Sequence, residues 1–207
     1  FSNGKKKEQF PELRYSYNFY NVNYIPYPLK GFTWEFQFMK RGFTKDMNLW
    51  QFGLRAAKYW TLAPKTYLNI RGGAILKLPF DQPFYNQPMM GYGEYYLRGL
   101  EYYVIDGVAG GYGRTTISRE IFSFKLKTGL KSRTYGHIPF KIYIKAYTDA
   151  GYVYNKNNVT GNTLTNKFLY TGGIGLDLLT IYDFVLRLEY SFNQMNERAL
   201  FFHQKEQ

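Results

Sequence analysis

The chain has no cysteine and only two histidines, His137 and His203, in 207 residues. Disulfides, thiolate metal sites and a cysteine nucleophile are therefore excluded, and a His-rich metal centre or a Ser–His pair is hard to build. No apolar run approaches the roughly 20 residues that a membrane helix needs, and no segment carries a convincing helical stripe. Acidic residues are scarce, 15 against 27 basic ones, and they form no obvious close pair for glycoside chemistry. The resulting +12 invites a nucleic-acid reading. However, the cations are spread along the chain, and only Lys5-Lys6-Lys7 forms a run of three. A lumen wall, or loops near anionic headgroups, explains that balance equally well. The chain starts at Phe1 without a signal-peptide pattern. It reads as a piece of a longer polypeptide, which leaves its location open.

Aromatics are abundant, 21% of the chain with 22 Tyr and 18 Phe, yet the mean hydropathy is −0.43. That combination suits strands with one greasy and one wet face. The period is two nearly everywhere. Over 184–192, Phe184, Leu186, Leu188, Tyr190 and Phe192 oppose Val185, Arg187, Glu189 and Ser191. In the stretch FKIYIKAYTDAGYVY, Phe140, Ile142, Ile144, Ala146 and Ala150 oppose Lys141, Lys145 and Asp149. Leu13, Tyr15, Tyr17 and Phe19 likewise oppose Arg14, Ser16, Asn18 and Tyr20.

This patterning predicts strands near 12–24, 31–43, 47–60, 66–78, 114–127, 139–154, 167–179, 184–193 and 198–203. Most are about 11–15 residues long, whereas soluble strands centre near 5–6 and a tilted membrane strand needs about 9–11. Length favours an antiparallel transmembrane barrel over a soluble sandwich. The connections at 27–31, 62–65 and 180–183 are short, and those at 80–113 and 155–166 are longer, as in outer-membrane barrels. Two break the pattern: 128–138 is long and 44–47 short. Single-chain bacterial barrels close with an even number of strands, so a count of about nine points to a fragment.

Two short motifs stand out. Leu97-Arg98-Gly99-Leu100 lies inside the Gly/Tyr-rich loop, and Asp149-Ala150-Gly151 lies late in a strand. An inward-facing Asp on a barrel wall needs a cation, and a loop Arg tucked into the lumen supplies one. The glycines 99, 107, 110, 111 and 113 lack the strand-to-helix context of a phosphate cradle and read as aids to tight loop folding. Gly172, Gly173 and Gly175 read as local bending of the wall. Tyr59-Trp60, Tyr95-Tyr96, Tyr102-Tyr103 and Tyr152/Tyr154 suit interface girdles or loop packing better than a stacking platform.

In order along the chain, the residues resemble the superfamily of BamA and TamA, outer-membrane assembly and translocation barrels. Pro28-Leu29-Lys30-Gly31 is similar to a Pro-x-x-Gly turn, and Ala57-Lys58-Tyr59-Trp60 ends a strand. Leu78-Pro79-Phe80 through Phe84-Tyr85 leads into the loop, where Leu97-Arg98-Gly99-Leu100 is similar to a Val-Arg-Gly-Phe signature. Asp149-Ala150-Gly151-Tyr152-Val153-Tyr154 resembles an Asp-x-Gly-x-Val-aromatic strand, followed by Gly172-Gly173-Ile174-Gly175-Leu176 and a final aromatic strand. Leu100 departs from the aromatic fourth position, and His203 to Gln207 extend beyond the terminal aromatic.

The resemblance implies that residues 1–207 are one unit, the C-terminal half of a sixteen-stranded barrel with a loop at about 79–113 folded into the lumen. It implies a loop lock made by Arg98 and Gly99 with Asp149 and Gly151, and Glu120 as a second acidic position. Arg198, Leu200, Phe201 and Phe202 would form the last strand at a lateral seam. The implied function is assembly, insertion or translocation of other proteins in the outer membrane of a Gram-negative cell. No enzyme activity, cofactor, metal or nucleic acid is expected. Expected partners are outer-membrane lipid and lipopolysaccharide, client outer-membrane proteins and accessory subunits. The alternatives are a passive porin, with Lys141, Lys145 and Arg187 favouring anions, and a membrane anchor for an upstream hydrolase domain.

Overall fold

The computed structural model describes residues 9–44, 47–93, 95–127, 137–156, 162–180 and 184–205. Lys5-Lys6-Lys7, the connection at 128–136, the centre of 155–166 and the turn at 181–183 lie outside them.

Nine long antiparallel strands follow one another in a single sheet. They are β1 (Glu12–Val22), β2 (Gly31–Arg41), β3 (Leu49–Ala63), β4 (Thr66–Leu78), β7 (Ala109–Lys127), β8 (His137–Tyr154), β9 (Phe168–Leu179), β10 (Val185–Asn193) and β11 (Arg198–Lys205). Each pairs with the next, and β1 and β11 are the two edges, so the sheet is not closed on itself. Between β4 and β7 the chain makes a small separate hairpin from β5 (Pro88–Met90) and β6 (Ile105–Asp106).

Period two decides what each strand buries. In β8, Tyr143, Lys145, Tyr147, Asp149, Gly151 and Val153 are buried, while Ile144, Ala146, Thr148, Tyr152 and Tyr154 are exposed. In β10, Val185, Glu189 and Ser191 are buried, and Leu188, Tyr190 and Phe192 are exposed. Charge on the inside, beside Tyr143 and Tyr147, and a mostly apolar outside is the reverse of a soluble sandwich, and it is the arrangement of a wall facing lipid.

Strand β7 begins at Ala109, five residues before the expected start, because Gly110, Gly111 and Gly113 belong to the ladder rather than to the loop. Glycine is a weak strand signal; here flanking pairs on both sides recruit it, with Gly72 and Gly73 of β4 opposite Gly113 and Tyr112. Strand β11 runs to Lys205, so the residues after the aromatic pair continue the strand.

The sheet is strongly curled. Strands β2 and β9 are five interstrand steps apart, about 24 Å along the sheet at about 4.8 Å per step. Yet Tyr27, in the turn before β2, donates its hydroxyl to Asp177 Oδ2 of β9 at 2.8 Å. Its ring packs on Tyr143 of β8 with centroids 5.0 Å apart. The turn therefore crosses the concave face, and a small apolar cluster of Tyr27, Tyr143 and Val185 forms beneath it.

Candidate functional site

The loop from 79 to 108 enters the concavity from the opposite end. Its apolar residues Met89, Met90, Leu97, Leu100 and Ile105 are buried against Ile75, Tyr112, Val153 and Leu169 of the wall. Burying that cluster supplies the drive for the loop to fold inward. Polar contacts then fix its depth. Lys77 Nζ donates to the carbonyl of Asn86 at 2.8 Å and to that of Pro88, and Asn155 Nδ2 donates to Gln87 Oε1 at 2.9 Å.

Arg98 sits at the end of this insertion. Its backbone N–H donates to Asp149 Oδ2 at 3.0 Å and its Nε to the same oxygen at 2.9 Å. Nη2 donates to Oδ1, which completes a two-pronged, charge-assisted pair. Nη1 donates to Thr116 Oγ1 at 3.0 Å, and the guanidinium lies 3.9 Å from the Tyr147 ring centre. Both partners of the pair are buried. Desolvation cancels much of the attraction in such a pair, so its effect is to fix one loop position rather than to add net stability.

Arg114 lies beside it, with Nε 3.8 Å from Asp149 Oδ2 and its guanidinium stacked on Tyr96. Gly99 needs its lack of a side chain, because φ is +85° and an added Cβ would sit 3.0 Å from Ser191 Cβ. Its carbonyl accepts from Asn193 Nδ2 at 2.9 Å. Gly151 is buried on the wall beneath Leu97.

Glu120 is placed elsewhere. It faces inward, opposite Tyr143 and in phase with Arg114 and Ser118, and a bulge between Glu120 and Phe122 turns Phe122 outward. Asp149 is six residues further along β8, about 20 Å at about 3.3 Å per residue. Glu120 instead accepts from the Tyr143 hydroxyl at 3.1 Å and lies 3.7 Å from Lys65 Nζ. The second carboxylate near Arg98 is Glu189 of β10, at 4.0 Å.

Glu189 belongs to a network that residue patterning alone does not pair up. Lys145 Nζ reaches Asp177 Oδ1 at 2.5 Å and Glu189 Oε1 at 2.6 Å, and Tyr147 shares a hydrogen bond with Ser191. The only signal in the sequence is that these residues fall on the wet faces of β8, β9 and β10. Gly173 is not merely a bend: an added Cβ there would strike the Tyr147 hydroxyl at 2.5 Å, so the glycine makes room for that ring. Between the inserted loop and the Tyr27 turn lies a cavity of about 110 Å³, lined in part by Arg98, Arg114, Lys145, Asp177 and Arg187.

The loop also holds the last hairpin. The Tyr103 hydroxyl donates to Glu197 Oε1 at 2.6 Å, in the turn before β11. Hydrogen bonds from Tyr103 and Asn193 hold the Glu197 carboxyl below the usual range. Tyr102 packs on Phe201, and Glu101 pairs with His203. Of the expected seam residues, Phe201 faces inward and is buried, while Arg198, Leu200 and Phe202 are exposed. Deeper in the loop, burial pushes the Asp106 carboxyl up, against a hydrogen bond from Tyr92 and the charge of Lys77.

No protein-family profile and no curated protein matches the chain. Among solved structures, the chain is similar to BamA from Haemophilus ducreyi lacking POTRA domains 1–3, with 16% identity and a TM-score of 0.60. The likeness covers 94% of this chain and 42% of that one, so the chain spans less than half of its structural relative. Curled antiparallel wall, inward charges and outward aromatics together give this chain the fold of a BamA-like barrel.

Proposed function

We propose that the chain is part of an outer-membrane barrel that inserts or translocates other proteins and has no catalysis of its own. The carrying observation is the inserted loop, which grips Asp149 of the wall through Arg98 and at the same time holds the terminal hairpin at Tyr103, Glu101 and Gly99. A loop joined to both can couple its own position to the last strand. Unpaired strand edges are costly in hydrocarbon, so β1 and β11 would be covered by further strands. In the working protein, opening of the pairing at β11 would free an edge that a client strand could join by β-augmentation. Lipid and lipopolysaccharide would meet the aromatic outer face, and accessory subunits would meet regions outside the sheet.

The pairing of Lys145 speaks against a passive anion channel, because it is engaged by Asp177 and Glu189 rather than open to a permeant ion. The test is insertion of an unfolded client barrel into liposomes carrying the full-length protein. Arg98→Ala is expected to lower client insertion at least about tenfold, since an interaction that fixes loop position is lost along with a buried countercharge. Unchanged insertion, with a large conductance indifferent to Arg98, would favour the channel instead. A hydrolase domain upstream, with no insertion activity in either form, would favour the anchor.

A further inference from the structure

We propose that Glu101, Glu189 and His203 form a site for a divalent transition-metal ion of the zinc class, joining the inserted loop to the last strand. The three side chains come from three elements: the loop, β10 and β11. Their ligand atoms all lie within 4.8 Å of one another. His203 Nε2 is 3.0 Å from Glu101 Oε2 and 3.5 Å from Glu189 Oε2. Tetrahedral ligands at about 2.0–2.1 Å from a zinc ion stand about 3.3–3.5 Å from each other, so two of the three edges are already near the required length.

A proton on His203 accounts for this arrangement less well. Both oxygens of Glu101 and one of Glu189 converge on a single ring nitrogen, which carries at most one hydrogen. Positive charge is also short at Glu101. Arg98 and Arg114 face Asp149, and Lys145 and Arg187 face Asp177 and Glu189. Among the described residues, the charged partner of Glu101 is His203 alone, so a neutral imidazole leaves that carboxylate without a countercharge. A metal ion satisfies all three groups together.

One imidazole with two carboxylates suits zinc-class ions, whereas calcium and magnesium prefer all-oxygen shells. Glu189 has an outer support as well: its other oxygen is held by Lys145 Nζ at 2.6 Å, a contact of the kind that orients ligating carboxylates. The His203 side chain is 29% exposed, which leaves an entry path and room for a water ligand. His203 is also the residue that extends the final strand beyond its terminal aromatic. The assignment does not depend on the insertion reading, because it is tested by binding.

The experiment uses the full-length protein in detergent, stripped with chelator and titrated with Co²⁺ and then Zn²⁺. A visible ligand-field band on Co²⁺ addition, displaced by one equivalent of Zn²⁺, is expected. Glu101→Gln and His203→Gln should each weaken binding at least about 100-fold, with barrel content by circular dichroism unchanged; Lys58→Gln is the control. Should either variant misfold, carbethoxylation of His203 in the unmodified protein replaces it, and Zn²⁺ is expected to slow that reaction at least about tenfold. No band at millimolar Co²⁺, equal affinity in folded His203→Gln, or carbethoxylation indifferent to Zn²⁺ would overturn the site and leave a protonated His203–Glu101 pair.

Discussion

The walls built by β1–β3 and by β8–β10 share one alternation and differ in what lies against it. In β8–β10, Lys145, Asp149, Asp177 and Glu189 are each at most 5% exposed. In β1 nearly every residue is exposed on both faces, and the Arg14–Glu12 pair lies in the open. The inserted loop and the Tyr27 turn cover the β8–β10 wall; the loop reaches β2 and β3 at Arg41 and Arg55 and leaves β1 bare. Strand patterning therefore sets the direction of a side chain, and its dielectric surroundings come from elements inserted later.

That contrast can be broken most severely at Asp149. Asp149→Ala strands two guanidiniums, Arg98 and Arg114, and is expected to cost about 3–5 kcal/mol, read as a fall in urea stability in detergent together with loss of loop protection from protease. A variant that stays protected and equally stable would remove the distinction between the walls. Gly99→Ala comes next: a non-glycine residue at φ +85° costs about 1–3 kcal/mol, and the same urea titration measures it.

Tyr27→Phe keeps the ring on Tyr143 and removes only the hydrogen bond to Asp177. A loss of about 1–2 kcal/mol is expected, since a hydrogen bond to a charged group is removed. On the other wall, Glu35→Gln breaks the half-buried Arg55–Glu35 pair, and a change below about 1 kcal/mol is expected, as for partly solvated pairs. Equal effects at Glu35 and Asp149 would mean that the two walls do not differ in the way their burial suggests.

All nine long strands were legible because a wet face and a greasy face repeat over 8 to 19 residues. The β5–β6 hairpin was not, since β5 and β6 have 3 and 2 residues, too few for a period to emerge. The early start of β7 was hidden by its glycines. Tyr27 gave no signal, because its turn reads as an ordinary Pro-rich connection and its partners lie more than a hundred residues away. Arg98 and Asp149 stood out as opposite charges in contexts that resemble a known motif. Glu120 was drawn in by the same resemblance, while Glu189, an unremarkable member of β10's wet face, is the carboxylate that lies near Arg98.

Residue order by itself determined the antiparallel order, the approximate lengths of most strands and the inward or outward aim of nearly every wall residue, because a period of two is a local property of the backbone. Which inward charge meets which partner was decided only in three dimensions. Arg98 with Asp149 and Glu101 with His203 join the inserted loop to the wall, and Lys145 meets Glu189 over Gly175 of the strand between them. Their meeting depends on how tightly the sheet curls and how deep the loop's apolar cluster draws it in. Neither quantity has a period that a linear sequence can display.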